Sequence, residues 1–204
     1  CMLEKYFFHY LYYIFVTVLL LASFPLFVCV AISIVVTSGF PIIFHQKRAG
    51  KNGVEFIMYK FRTMVNGAQL QQTKYLWMNE SKGPVFKIHN DPRFTWIGKF
   101  LSHTGLDELP QLYNVIRGDM AFIGPRPLPV SEAKALEYWM QARHTILPGI
   151  ISPAVLTGKY HKNFAWWMKS DVEYAKNKSV HGDVRLVFRF LSFILRLLWK
   201  EVVG

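Results

Sequence analysis

From Tyr6 to Gln46 the chain carries no Asp, Glu, Lys or Arg. A run of that kind must be buried in protein or placed in lipid. Its core, "YLYYIFVTVLLLASFPLFVCVAISIVV" from Tyr10 to Val36, exceeds the roughly 20 apolar residues of a simple spanning helix. It also exceeds the apolar region of a cleaved signal. Pro25 lies near the middle, just after Ser23. Proline removes a helical hydrogen bond and clashes with the preceding turn, so a break is predicted at Ser23 and Pro25. The arms Tyr10–Ser23 and Leu26–Ser38 are then each too short to cross alone. Two readings fit: a helix–break–helix that dips into the membrane and returns, or one tilted, kinked span. Lys5 precedes the run, and Lys47, Arg48 and Lys51 follow it. Positive charge on both flanks agrees with both ends being cytoplasmic.

Composition narrows the partners. The 204 residues hold 24 Lys and Arg against 13 Asp and Glu, a formal charge of +11. Such an excess points to an anionic partner: nucleic acid, an acidic membrane surface or a phosphorylated substrate. Hydrophobic residues make up 52% and charged residues 18%, which favours contact with lipid over nucleic acid. No aromatic RNA-binding signature is present, so no nucleic-acid partner is expected. The two cysteines, Cys1 and Cys29, suggest no disulfide framework and fit a reducing compartment.

Beyond Gly39 the pattern becomes mixed. Ile42–Phe44 and Val54–Tyr59 read as short strands around a Gly- and Asn-bearing turn. Asn90-Asp91-Pro92 marks another turn. The spacing of Ala133, Leu136, Trp139 and Met140 predicts a helix over Ser131–His144, with Pro148-Gly149 ending it. The fold class is therefore α/β: a mainly helical small domain with short strands, an N-terminal membrane helix broken near Pro25, re-entrant or spanning, and amphipathic interfacial helices. The division is residues 1–39 for the membrane helix and 40–204 for the domain that follows, whose last helix is 183–204. In that helix Arg185, Arg189, Arg196 and Lys200 fall within about 60° of arc at 100° per residue. Apolar side chains cover most of the rest. A basic stripe on a greasy helix suits a membrane interface; packing on the protein's own core is the alternative. Trp166, Trp167 and Trp199 are candidate interfacial anchors.

The stretch "TGLDELPQLYNVIRGDMAFIGPRP", Thr104 to Pro127, carries the chemistry. Leu106, Leu109, Leu112, Tyr113 and Ile116 recur at helical spacing and Gly118 suits the stop, so one helix is expected over Leu106–Ile116. Pro110 is tolerated only near a first turn. Asp107 and Glu108 are thereby placed at a helix start, where unpaired N–H groups and the helix dipole favour negative charge. Acids at a helix start often do no more than stabilise it. Here Lys60, Arg62, Arg93, Lys99, Arg117 and Arg126 surround them in sequence, among Gly, Pro and aromatic residues. Arginine forks match phosphate oxygens. Acids able to hold a divalent metal, with several cations, form a phosphoryl-transfer constellation. No Walker-type loop, HExxH or Cys/His metal cluster is present. The seven histidines show no ligand spacing.

"KFRTM" (Lys60–Met64), "DPRFTWIGKFL" (Asp91–Leu101), "LDELPQLYNVIRGDM" (Leu106–Met120) and "GPRP" (Gly124–Pro127), in this order, resemble the bacterial sugar transferases known as small monotopic phosphoglycosyl transferases. The flanks "QKRAGKNG" and "SDVEYAKNKSVHGDVRL" fit the same family, so the resemblance covers nearly the whole chain. It implies a re-entrant membrane helix broken near Ser23 and Pro25, with the catalytic domain on the cytoplasmic face of the bacterial inner membrane. It implies transfer of a phosphosugar from a UDP-sugar to undecaprenyl phosphate, with release of UMP. Asp107 would be the nucleophile, forming an aspartyl phosphosugar, and Glu108 would activate or orient the acceptor. Asp107 and Glu108 would hold Mg²⁺; Lys60, Arg62, Arg93 and Arg126 would bind substrate phosphates. The partners implied are the donor, the polyprenol acceptor and phospholipid, with a second copy of the chain or downstream glycosyltransferases left open.

Three features depart from the family pattern. Ser102 stands where a basic residue is usual, and Gly105 where a Ser is usual, removing a phosphate ligand and a capping hydroxyl. "ISPAVLTGK", Ile151 to Lys159, replaces a segment associated with nucleotide or sugar recognition. These motivate an alternative: a catalytically quiet membrane-bound relative that binds polyprenol phosphate or scaffolds a glycan assembly complex.

Overall fold

The computed structural model describes residues 2–81, 83–157 and 163–203, and the side chains among them from Tyr10 to Ser192. Contacts divide the chain into two compact units. One holds the N-terminal residues through Lys47 with Phe56–Glu80 and Phe86–Met120. The other holds Arg48–Glu55, Ser81–Val85 and the chain from Ala121 onward.

The first unit begins with helices α1 (Met2–Ala22) and α2 (Phe24–Ser38). Pro25 sits in the first turn of α2, where its missing N–H costs least. Ser23 keeps helical dihedrals; its N–H donates to Leu19 O and its carbonyl accepts from Phe27 N. The chain thus bends, by 47°, without unwinding. No single described helix is long and apolar enough to cross a membrane; Tyr10–Ala22 and Phe24–Ser38 meet that test of length and composition together. Val16, Val30 and Ile34 are buried, while Ile14, Val18, Leu21, Ile32 and Val36 are exposed. An exposed apolar surface of this extent marks a contact with lipid or protein.

Strands β1 (Ile43–Ala49) and β2 (Glu55–Phe61) pair as a hairpin. Its turn uses Asn52 and Gly53, both at positive φ, a conformation these residue types tolerate. Phe61 joins Val30, Ile34 and Leu101 in the unit's core. Leu101 lies on α3 (Trp96–Thr104), whose N-cap Thr95 accepts from Gly98 N. α3 rests directly on the "KFRTM" segment: a Cβ on Gly98 would stand 1.9 Å from Thr63 O. Helix α4 (Gln111–Ile116) completes the unit.

In the second unit β3 (Ala121–Ile123) pairs in parallel with β4 (Gly149–Ile151). Gly124 and Gly149 abut; a Cβ on Gly149 would stand 2.0 Å from Gly124 N. The predicted helix over Ser131–His144 is instead α5 (Val130–Lys134) followed by a 3-10 segment, Tyr138–Thr145. The spacings of three from Ala133 to Leu136 and Trp139 suit either helix type, so periodicity could not separate them. Ala133, Leu136 and Met140 do face the core, with Leu128, Ala154 and Met168, whereas Trp139 is 42% exposed. Helix α6 (Phe164–Lys176) is capped by Asn163, which accepts from Trp166 N. Trp167 is buried in this core and so is no interfacial anchor, while Trp166 packs against the core half-buried. Helix α7 (Val180–Val203) exposes Arg185 and Arg189, and also Val184, Phe188 and Leu191. Arg196, Trp199 and Lys200 belong to side chains outside those described.

Candidate active site

Asp107 occupies a short turn between two helices rather than the start of one long helix. α3 ends at Gly105, whose φ of 75° is left-handed. A 3-10 turn, Leu106–Glu108, follows, and Pro110 then opens α4. Leu106 and Leu109 pack on the core and fix the turn, while Asp107 between them is 5% exposed. Glycine adopts the required conformation without the cost a Cβ would bring. The Gly105 departure therefore suits this backbone.

Lys60 Nζ lies 3.8 Å from Asp107 Oδ2. Its ammonium also stands over the Phe44 ring, 5.6 Å from the centroid. The pairing offsets the cost of burying a carboxylate in an apolar setting. Glu108, adjacent in sequence, is half-buried.

Sequence reasoning missed a residue that holds the strand beside Lys60. Asn114 on α4 is fully buried. Its Oδ1 accepts from Tyr59 N at 3.1 Å, and its Nδ2 donates to Ile57 O at 2.7 Å. One side-chain amide thus does for β2 what a neighbouring strand would do. Nδ2 also reaches Asp119 Oδ2 at 3.2 Å. On the expected helix Asn114 falls about 140° from the centre of the face formed by Leu106, Leu109, Leu112, Tyr113 and Ile116, so nothing in the spacing marked it.

Two predicted phosphate ligands are engaged elsewhere. Arg93 grips Asp91 from Nε at 2.9 Å and Nη2 at 2.5 Å, and donates from Nη1 to Ala68 O at 3.0 Å. Burial alone would raise the Asp91 pKa; the Arg93 hydrogen bonds and charge outweigh it and hold it below the ordinary value. Arg62 turns its guanidinium onto the carbonyls of Ser38, Gly39 and Phe40. Burial lowers its pKa. Both guanidinium groups are thus taken up in this structure, Arg93 by Asp91 two residues away and by Ala68 O, Arg62 by carbonyls more than twenty residues away.

In the second unit Arg126 is half-buried between buried Pro125 and Pro127. Its carbonyl accepts from Arg143 Nη2 at 2.6 Å. Arg143 in turn pairs with Asp171 Oδ2, from Nη2 at 2.6 Å and Nε at 3.2 Å, both residues being buried. Burial raises the Asp171 pKa, opposed by the Arg143 charge and hydrogen bonds. Ser152, within the segment that departs from the family pattern, donates to Asp171 Oδ1 at 3.4 Å. Arg48 Nη1 donates to Pro127 O at 3.2 Å. The "GPRP" backbone is thereby held from two sides. Arg143 and Asp171 lie far apart in sequence, and no local pattern announces the pair.

Among the described residues no three His, Cys, Asp or Glu side chains group together as a metal site. Two adjacent carboxylates remain compatible with magnesium, which binds through one or two carboxylates and completes its shell with phosphate oxygens and water.

Comparison with known proteins bears on what such an arrangement does. A family model described as bacterial sugar transferase matches residues 4–196. The galactosyl transferase CpsE of Streptococcus agalactiae serotype III is 38% identical over 158 residues, covering 77% of this chain and 35% of that protein. The undecaprenyl-phosphate galactose phosphotransferase of Salmonella typhimurium is 34% identical over 171 residues, covering 79% and 35%. The exopolysaccharide production protein ExoY of Rhizobium meliloti is 32% identical over 186 residues, covering 87% and 80%. The chain thus spans 35% of the length of the first two relatives and 80% of the third.

Proposed function

Since the chain belongs to the bacterial sugar transferase family, we infer that it is a phosphoglycosyl transferase that moves a sugar phosphate from a UDP-sugar to undecaprenyl phosphate. The observation that carries this reading is the buried Asp107 carboxylate held 3.8 Å from the Lys60 ammonium. A nucleophilic carboxylate must be ionised, oriented and shielded from water. The reaction proceeds in two displacements. Asp107 attacks the phosphorus that bears the sugar; the bond from that phosphorus to the bridging oxygen breaks, and UMP departs with the electron pair. An oxygen of undecaprenyl phosphate then attacks the same phosphorus. The aspartyl bond breaks, Asp107 regains its charge, and the product is a polyprenyl-diphosphate-linked sugar. Lys60 offsets negative charge at the phosphoryl group in both steps. Glu108 orients the acceptor phosphate and takes a proton when the acceptor arrives protonated. Asp107 and Glu108 are the residues that would hold magnesium, which when bound neutralises charge on the phosphates.

The bent pair α1–α2 supports a membrane-inserted, re-entrant anchor, with the reaction at the cytoplasmic face of the bacterial membrane, where a polyprenol phosphate presents its headgroup. The test is UMP release from a panel of UDP-sugars with magnesium and undecaprenyl phosphate, beside Asp107→Asn. Release by the parent and not by the variant supports the reading and identifies the donor sugar. Equal release by both contradicts it.

A further inference from the structure

Arg62 follows Phe61, the last residue of β2. Phe61 is fully buried, and its ring meets that of Phe27 on α2 with centroids 4.5 Å apart. Arg62 takes the same helix by its end. Nη2 donates to Ser38 O and Gly39 O, each at 2.6 Å, and Nη1 to Phe40 O at 2.8 Å. Nη1 also reaches Asn66 Oδ1 at 2.6 Å, and Asn66 Nδ2 returns to Phe40 O at 3.4 Å. The Arg62 backbone N–H donates to Ile42 O at 2.9 Å.

The last carbonyls of a helix lack partners within it and carry partial negative charge. α2 has no basic residue in its last turn, so the cation comes from β2 instead. A planar, pre-organised fork spreads its donors over three successive carbonyls, whereas an ammonium concentrates its three N–H groups at one point. Arg62 is 5% exposed and its Nε is shielded from solvent as well, which turns the fork away from any phosphate arriving from water.

We propose that Arg62 is a positioning residue that clamps the carbonyls at and just beyond the end of the bent apolar helix, those of Ser38, Gly39 and Phe40, to the strand carrying Lys60, and so sets the depth of the Asp107–Lys60 pair relative to the lipid surface. The depth half of this proposal rests on the sugar-phosphate-transfer reading; the clamp half does not. The acceptor is delivered by the lipid and the donor by water. A loosened clamp therefore weakens use of the acceptor and spares the donor.

The test uses the full chain in lipid nanodiscs, with Arg62→Lys and Arg62→Gln. Hydrogen exchange over residues 37–42 needs no turnover. It is expected to speed up about tenfold in Arg62→Gln, with Arg62→Lys between the two. Unchanged exchange overturns the clamp, whatever the kinetics. In turnover, KM for undecaprenyl phosphate is expected to rise about fivefold while KM for the UDP-sugar moves less than about twofold. A donor KM that rises as much as the acceptor KM overturns the depth role and returns Arg62 to phosphate binding. Where the parent releases no UMP, the transfer reading fails by itself and exchange still decides the clamp.

Discussion

Replacing Asn114 by Asp is the sharpest probe of how the site is held. The amide accepts from Tyr59 N and donates to Ile57 O, both in β2 one to three residues from Lys60. Asn114→Asp keeps the acceptor toward Tyr59. It places a second carboxylate oxygen where Nδ2 now lies 2.7 Å from Ile57 O and 3.2 Å from Asp119 Oδ2. One donor becomes an acceptor facing a carbonyl and another carboxylate. A buried polar group left without a partner costs about 1–3 kcal/mol; the lost donor, the orphaned Ile57 carbonyl and the like charge together cost about 3–5 kcal/mol at pH 7. For a chain of this length that lowers Tm by about 8–15 °C. Asn114→Ala, which deletes the bonds without adding charge, should cost about 2–4 kcal/mol. The new carboxyl is destabilised in its charged form, so its folded pKa is raised. The penalty is full above that value and shrinks as pH falls through it. Thermal unfolding in detergent at pH 7 and pH 5 reads this directly. Asn114→Asp should be less stable than Asn114→Ala at pH 7 and recover part of the loss at pH 5. If Asn114→Asp unfolds within about 1 °C of the parent at pH 7, the amide is not the strand's partner and the reasoning fails.

Other predictions follow from particular contacts. Gly98→Ala would press a methyl against Thr63 O, and should cost about 1–3 kcal/mol in urea unfolding. Asp171→Asn breaks the buried pair with Arg143 and should cost about 3–5 kcal/mol, whereas replacing both partners with apolar residues should restore much of it. Burial, with the Arg143 charge beside it, lowers the His144 pKa to about 4. The unfolded chain therefore binds a proton that the folded chain refuses between about pH 6.5 and 4. Stability from this group is present above that window and is lost as pH falls through it. After discounting for partial solvent screening the loss is about 1–2 kcal/mol. His144→Leu should flatten the fall in Tm between pH 7 and pH 4.5.

Much of the architecture was legible because it rests on local rules. An uncharged run interrupted by Pro25 announces a bent apolar pair, and the Gly-Lys-Asn-Gly turn announces a hairpin. Asp107–Glu108 stood out as the only adjacent acids among so many cations. The helix expected over Leu106–Ile116 is divided into a 3-10 turn and α4 around Pro110, which has no N–H to donate; Leu109 and Pro110 keep right-handed helical dihedrals, so the apolar spacing alone does not show the division. The roles of Arg62 and Arg93 were hidden for a different reason. Their partners include carbonyls, which every residue carries and which no pattern marks; Ser38 lies 24 residues from Arg62. Asn114 and the Arg143–Asp171 pair were missed likewise, because burial across 55 or 28 residues leaves no trace in spacing.

The central claim is that Asp107 forms a bond to the phosphosugar. The direct measurement is intact-protein mass spectrometry after incubation with the donor and magnesium, without acceptor. The account predicts one added phosphosugar per chain, absent from Asp107→Asn and lost when undecaprenyl phosphate is supplied. An unmodified mass, with UMP released only when acceptor is present, would contradict it and point to direct displacement by the lipid phosphate.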